Sequence, residues 1–170
     1  MSTEAAQIIR DALNEQIKQD HYTAELYYAM AVHCASMGLT GFARWFRARA
    51  ADTQIRAMRL TQFMSERGEA AVFKAFQDPP AQFEALPQML RRGQQREQLA
   101  TAWLERLAAF AAKAREFVVE SLARRYLEEQ KAQEQRFTQA LQLVGALGEG
   151  KQVPALLDQE MGRGADGGAD

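Results

Sequence analysis

Residues 69–86, EAAVFKAFQDPPAQFEAL, decide how this chain can fold. The segment carries the adjacent prolines Pro79 and Pro80, and it separates two long stretches rich in strong helix formers such as Ala, Leu, Gln, Glu and Arg. When extended, about 18 residues span ~60 Å at ~3.3 Å each, whereas a helix of about 30 residues is ~45 Å long. The segment can therefore run the full length of a helical bundle and start the next helix at the opposite end.

The rest of the chain predicts helices and no strands, because Val and Ile are scarce and do not alternate with polar residues. Short links predict antiparallel packing of the first helix on the second, and of the third on the fourth. Residues 113–115, between the third and fourth helices, contain no strong helix breaker, so on local evidence the two could be one helix. The expected helices cover about Thr3–Ser36, Thr40–Arg67, Pro87–Ala112, Glu116–Ala146 and Ala155–Met161.

These features predict an all-α fold, a four-helix bundle with a long crossover between its second and third helices and a short C-terminal fifth helix. Residues 1–162 are expected to form a single domain. Residues 163–170, RGADGGAD, are expected to be a disordered tail.

Composition narrows the class of protein. The 170 residues include 21 Lys and Arg against 22 Asp and Glu, and this net charge of -1 argues against nucleic acid or an anionic membrane as a partner. The single cysteine, Cys34, excludes an internal disulfide and a Cys-rich zinc site. Since no apolar run approaches ~18 residues and no signal peptide is evident, a cytoplasmic location is expected.

Each long helix carries an apolar stripe at the spacing that faces a bundle core, and each stripe turns polar near its middle. The interruptions are one residue, a pair three apart, one residue, and another pair three apart: Asp20, Thr53 with Arg56, Glu97, and Gln130 with Gln133. This 1–2–1–2 order is the pattern of di-iron carboxylate bundles, which take a Glu from two helices and Glu-x-x-His from the other two.

The residue types do not suit that chemistry, because two iron ions need about four carboxylates together with imidazole. Only Asp20 and Glu97 are acidic, and the guanidinium of Arg56 cannot deprotonate to become a ligand. We therefore expect Arg56 to bridge Asp20 and Glu97 in a metal-free polar layer, with Thr53 and the two glutamines completing the hydrogen bonds. A working iron pair, or one metal held by Asp20, Glu97 and Gln130, are the alternatives.

Several short motifs, taken in order, resemble those of bacterial non-haem ferritins. They are LNEQ at residues 13–16, LYYAMAVHC at 26–34, RxxAADTQIRAMRL at 47–60, REQL at 96–99 and YLEEQ at 126–130. The resemblance covers about residues 12–144, and it implies a ferritin-like bundle that assembles into a hollow 24-subunit shell for iron storage or release.

The resemblance also implies roles for particular positions. The family's iron ligands fall on Asp20, Thr53, Arg56, Glu97, Gln130 and Gln133, with Tyr27 beside them, and its third-iron region falls on Asp52 and Glu129. The chain therefore resembles the divergent ferritins whose centre is incomplete, with weak or absent ferroxidase activity and iron at low occupancy. Gln54 stands where bacterioferritins place their axial Met, so no haem is expected.

Two other classes of function stay open. The chain could be a metal-free structural or interaction subunit that assembles with an active ferritin. Alternatively, its arginine-rich second helix could bind an anion or nucleic acid. The arginines of that helix are Arg44, Arg47, Arg49, Arg56, Arg59 and Arg67.

Overall fold

The computed structural model describes residues 3–83, 85–148 and 152–165. All regular structure within these ranges is helical, as predicted. The helices are α1 (Thr3–Ser36), α2 (Thr40–Glu66), α3 (Leu86–Ala114), α4 (Phe117–Gly145) and α5 (Ala155–Gly164). The bounds of the four long helices differ from the expected ones by at most one or two residues.

The third and fourth helices are separate, which local sequence could not decide. Arg115 ends α3 in the left-handed region, at φ 60°, and the backbone N–H of Glu116 closes the turn on the carbonyl of Ala111 at 2.9 Å. A side chain in this region costs about 1–2 kcal/mol. The packing of α3 along α4 offsets this cost and stabilises the break between the two helices, for which the local sequence has no strong breaker.

The bundle consists of two helix pairs, α1 on α2 and α3 on α4, with α5 packed on α2. Two apolar clusters show how the pairs are oriented. One joins Phe42, near the start of α2, to Leu86, at the start of α3, and the other joins Met64, near the end of α2, to Ala111, near the end of α3. Since both starts lie at one end of the bundle, α2 and α3 run parallel, which confirms the long crossover.

The crossover follows α1 along its length. The backbone N–H of Val72 donates to Asn14 Oδ1 at 2.7 Å, and the Phe76 ring meets the Tyr22 ring edge-on at 6.3 Å between centroids. Further along, Phe83 lies 5.7 Å from the ring of His33. The aromatic residues of the crossover therefore anchor it to the outside of the bundle.

The fifth helix continues to Gly164, three residues beyond its expected end, so Arg163 and Gly164 are helical where a disordered tail was expected. Close packing explains the difference, because a Cβ added at Gly162 would lie 2.9 Å from the Cα of Gly41 on α2. The glycine that suggested a chain end instead lets two helices approach each other. Residues 166–170 of the expected tail lie outside the described residues.

Among the described residues, none of the helices combines the length and apolar character needed to span a bilayer.

Candidate functional site

A polar layer separates the two apolar clusters, and all four long helices contribute to it at the same depth. Its fully buried members are Asp20 from α1, Thr53 from α2, Glu97 from α3 and Gln130 from α4. Buried polar groups are stable only when they are hydrogen-bonded, so the partners of each one define what the layer can do.

Asp20 and Arg56 form the ion pair at the centre of the layer. Arg56 Nε donates to Asp20 Oδ2 at 2.8 Å, and Arg56 Nη2 donates to Asp20 Oδ1, so the guanidinium faces the carboxylate with two parallel bonds. Gln16, one turn before Asp20 on α1, donates to Oδ1 at 2.6 Å. Both oxygens of this buried carboxylate are therefore occupied by donors from the protein.

Gln130 connects this pair to the second carboxylate. Its Oε1 accepts a hydrogen bond from Arg56 Nη1, and its Nε2 donates to Glu97 Oε2 at 2.6 Å. The hydroxyl of Tyr27 donates to the other oxygen of Glu97 at 2.5 Å. A continuous chain of hydrogen bonds thus crosses the bundle, and the link expected between Arg56 and Glu97 runs through the amide of Gln130.

The electrostatics of the layer keep its cation charged and its phenol neutral. Burial by itself lowers the pKa of Arg56, but the charge and hydrogen bonds of Asp20 outweigh that effect, so its pKa lies above the ordinary value. Burial, followed by the charge of Glu97, raises the pKa of Tyr27 well above its usual range. At neutral pH the layer therefore holds a guanidinium and a protonated tyrosine.

Two residues expected in this network have other partners. The hydroxyl of Thr53 donates to the carbonyl of Arg49, one turn earlier on its own helix, at 2.9 Å. A short β-branched hydroxyl readily makes this bond and then cannot reach across the bundle. Gln133 Nε2 donates to Asp52 Oδ2 at 3.1 Å, outside the central chain. The expectation that Thr53 and Gln133 would complete the hydrogen bonds of the central layer was therefore wrong.

A cavity of about 710 Å³ opens beside the layer, between α2 and α4, and both acids of the expected third-iron region line it. Each acid already faces arginine. Asp52 Oδ2 lies 3.1 Å from Arg49 Nη2 and 3.8 Å from Arg136 Nη1, and Glu129 lies 3.4 Å from Arg59.

The sequence indicated Arg49 only as one of six arginines on a helix that could bind an anion, and it did not identify Arg136. The position of Arg49 could have indicated a site, because it lies in the apolar stripe of the second helix, one turn before Thr53, and a buried charge needs a partner. The position of Arg136 could not, because it sits among many charged residues of a solvated helix face.

The donor set does not fit a pair of iron ions. The six expected ligand positions supply two carboxylates, two amides, one hydroxyl and one guanidinium, and the guanidinium lies against Asp20. No group of three or more His, Cys, Asp or Glu side chains that could hold a metal occurs in the described part of the chain.

The sequence of this chain is similar to those of known proteins. Residues 10–146 match the ferritin-like domain family. A bacterial non-heme ferritin of Staphylococcus haemolyticus is 25% identical over 151 residues, covering 89% of this chain and 91% of that protein. A probable bacterial non-heme ferritin-like protein of Haemophilus influenzae is 25% identical over 150 residues, covering 88% and 91%.

Solved structures agree with the sequence comparison. The open pore ferritin of the archaeon Archaeoglobus fulgidus superposes with a TM-score of 0.86 at 27% identity, covering 95% of this chain and 96% of that chain. A humanized archaeal ferritin superposes with a TM-score of 0.87 at 26% identity, with the same coverage. The likeness therefore extends over nearly the whole chain.

Proposed function

This chain belongs to the ferritin family, and from that premise we propose that it forms a hollow shell that holds or releases iron while its own oxidation centre is impaired. The family match and the ferritin-like bundle support the storage role. By resemblance we expect a 24-subunit shell in the cytoplasm, with iron at low occupancy and no haem.

The position of Arg56 carries the proposal of an impaired centre. Its guanidinium occupies the carboxylate of Asp20 and the amide oxygen of Gln130, which are two of the three groups that a single cation at this place would have to recruit. An iron ion would therefore meet a fixed positive charge and would have to displace it. Separating the buried carboxylate of Asp20 from its cation is costly, by about 3–5 kcal/mol.

The surroundings of the centre support the same proposal. The peripheral acids Asp52 and Glu129 both face arginines, whose positive charge reduces the attraction of these carboxylates for incoming iron. The single-metal alternative at Asp20, Glu97 and Gln130 would need Gln130 to exchange its bond with Arg56 for a metal. The ferroxidase activity that the family resemblance implies is therefore expected to be weak.

Oxidation of iron(II) in air tests this function. Purified, iron-free protein should oxidise added iron(II) little faster than buffer alone, as followed by oxygen consumption and the absorbance of ferric species. The triple variant Thr53→Glu, Arg56→His, Gln133→Glu restores carboxylate and imidazole at the altered positions and should oxidise iron faster. A matched variant, Thr53→Gln, Arg56→Gln, removes the guanidinium without adding ligands and should not. Rapid oxidation of two irons per chain by the natural protein would refute the impaired centre.

A second candidate is a metal-free subunit that assembles with an active ferritin. The closed hydrogen-bond chain from Asp20 to Tyr27 favours it, because the polar layer is satisfied without any ion. Metal content and particle mass of the purified protein separate the two candidates. Iron well above one atom per chain supports storage, and a shell that stays iron-poor after loading supports the second candidate.

A further inference from the structure

Arg49 is a buried cation whose hydrogen bonds are incomplete. Its side chain is 3% exposed, and its Nε and Nη1 have no hydrogen-bond partner among the described residues. The ring of Trp45 lies 5.6 Å from its guanidinium and offers only a cation–π contact. Burial lowers the pKa of Arg49, and Asp52 opposes that effect. A buried guanidinium with free donors is costly unless another group can satisfy it.

Arg49 lines the cavity beside the polar layer, and the donors of that cavity converge on one oxygen atom. Asp52 Oδ2 lies 3.1 Å from Arg49 Nη2, 3.1 Å from Gln133 Nε2 and 3.8 Å from Arg136 Nη1. Asp52 is 42% exposed and has a short side chain, so it can turn outward to solvent. The Oδ2 atom of Asp52 therefore shows where the guanidinium groups of Arg49 and Arg136 and the amide of Gln133 surround a negatively charged oxygen.

This arrangement suits a small oxoanion. Guanidinium groups bind phosphate with paired, charge-assisted hydrogen bonds, and an anion with several oxygens can accept from more donors than the one oxygen of Asp52 does. The cavity of about 710 Å³ has ample room for such an ion. The side chain of Arg49 is only 3% exposed, so the geometry favours a small anion over the bulkier backbone of a nucleic acid.

We propose that this cavity binds a small tetrahedral oxoanion, with inorganic phosphate as its simplest case, through Arg49, Arg136 and Gln133. Asp52 is the internal anion that the ligand displaces. This inference does not depend on iron chemistry, so it can hold whether or not the centre oxidises iron.

Titration calorimetry with inorganic phosphate on the assembled, iron-free protein tests the site. We expect one phosphate per chain. Arg136→Gln, at a partly exposed position, should weaken binding roughly tenfold or more, and Arg49→Gln should abolish it. Asp52→Asn removes the competing carboxylate and should tighten binding. Arg124→Gln is the matched control, because its arginine pairs with Glu120 outside the cavity and phosphate affinity should stay unchanged.

Circular dichroism and particle mass show which variants keep the fold, and if Arg49→Gln does not fold, Arg136→Gln and Asp52→Asn decide. The proposal is overturned if millimolar phosphate does not bind, if Arg124→Gln weakens binding as much as Arg136→Gln, or if Asp52→Asn weakens it. It is also overturned if only duplex DNA, and not phosphate, binds in a way that depends on Arg49 and Arg136.

Discussion

At the scale of single residues, Arg56 does two things that a histidine in its place could not do. It stays charged at every physiological pH, and its planar fork makes two parallel bonds to Asp20 with a third donor left for Gln130. A histidine would lose its charge near neutral pH and could then bind a metal. Arg56 thus supplies a permanent positive charge within the polar layer.

Replacing Arg56 by alanine should lower the stability of the protein by about 3–5 kcal/mol, because it leaves the buried carboxylate of Asp20 without a cation. The melting temperature measures the loss. Arg59→Ala is the matched control on the same helix, since its pair with Glu129 is more than half exposed on both sides and should contribute less than ~1 kcal/mol.

A double variant identifies the cause. If the unpaired charge of Asp20 is responsible, adding Asp20→Asn to Arg56→Ala should recover part of the lost stability, because no buried charge remains. Equal melting shifts for Arg56→Ala and Arg59→Ala would show that Arg56 does not neutralise the buried carboxylate of Asp20.

At the scale of elements, α5 acts as the cap of α2. The start of α2 has no side-chain cap of its own, but the buried carboxylate of Asp158 accepts the backbone N–H groups of Gly41 and Phe42, each at 2.9 Å. A carboxylate at a helix start satisfies free donors and interacts favourably with the helix dipole. The absence of a side chain at Gly41 lets Asp158 approach this closely, since a Cβ there would collide with its backbone.

Asp158→Ala should therefore destabilise the protein by roughly 1–2 kcal/mol and expose the start of α2. Hydrogen exchange of the Gly41 and Phe42 amides is the measurement, and both should exchange faster. Glu160→Ala, on the exposed side of the same helix where it pairs with Arg163, should leave these amides protected. Unchanged protection in Asp158→Ala would mean that α5 does not cap α2.

At the scale of the whole molecule, a single chain leaves large apolar side chains in water. Among the described residues, six of them are more than 60% exposed: Val32, Met58, Phe73, Phe117, Val118 and Leu156. A side chain of this kind is removed from water when another subunit covers it. Together with membership of the ferritin family, they favour self-assembly.

Light scattering should therefore give a particle mass many times the 19.1 kDa of one chain. Val32→Asp should reduce that mass, because Val32 is 71% exposed in one chain and a charge there is unfavourable only if another subunit covers it. Circular dichroism should show unchanged helix content. A monomeric natural protein would contradict assembly, and a full-sized Val32→Asp particle would place Val32 outside the subunit contacts.

Much of this architecture could be predicted from the sequence alone. The long helical stretches, the crossover and the common depth of Asp20, Thr53, Glu97 and Gln130 follow from spacing along one chain, whereas the break at Arg115 between α3 and α4 did not. Apolar residues at helical intervals determine which face is buried, and the length of residues 69–86 determines which ends can be joined. The excess of arginine on the second helix, and the lack of carboxylates at the expected ligand positions, could also be predicted, because both depend only on residue type.

Helix packing, and not residue spacing, sets which polar groups meet. Gln130 connects Arg56 to Glu97, Thr53 bonds back to its own helix, and Gln133 joins Asp52 instead of the centre. Each pairing depends on how one helix is rotated and shifted against another. Shifts of a few ångströms change the partner, and they cannot be read from residue spacing within one helix. The sequence by itself thus determined where the polar layer lies, and helix packing determined how its charges are paired.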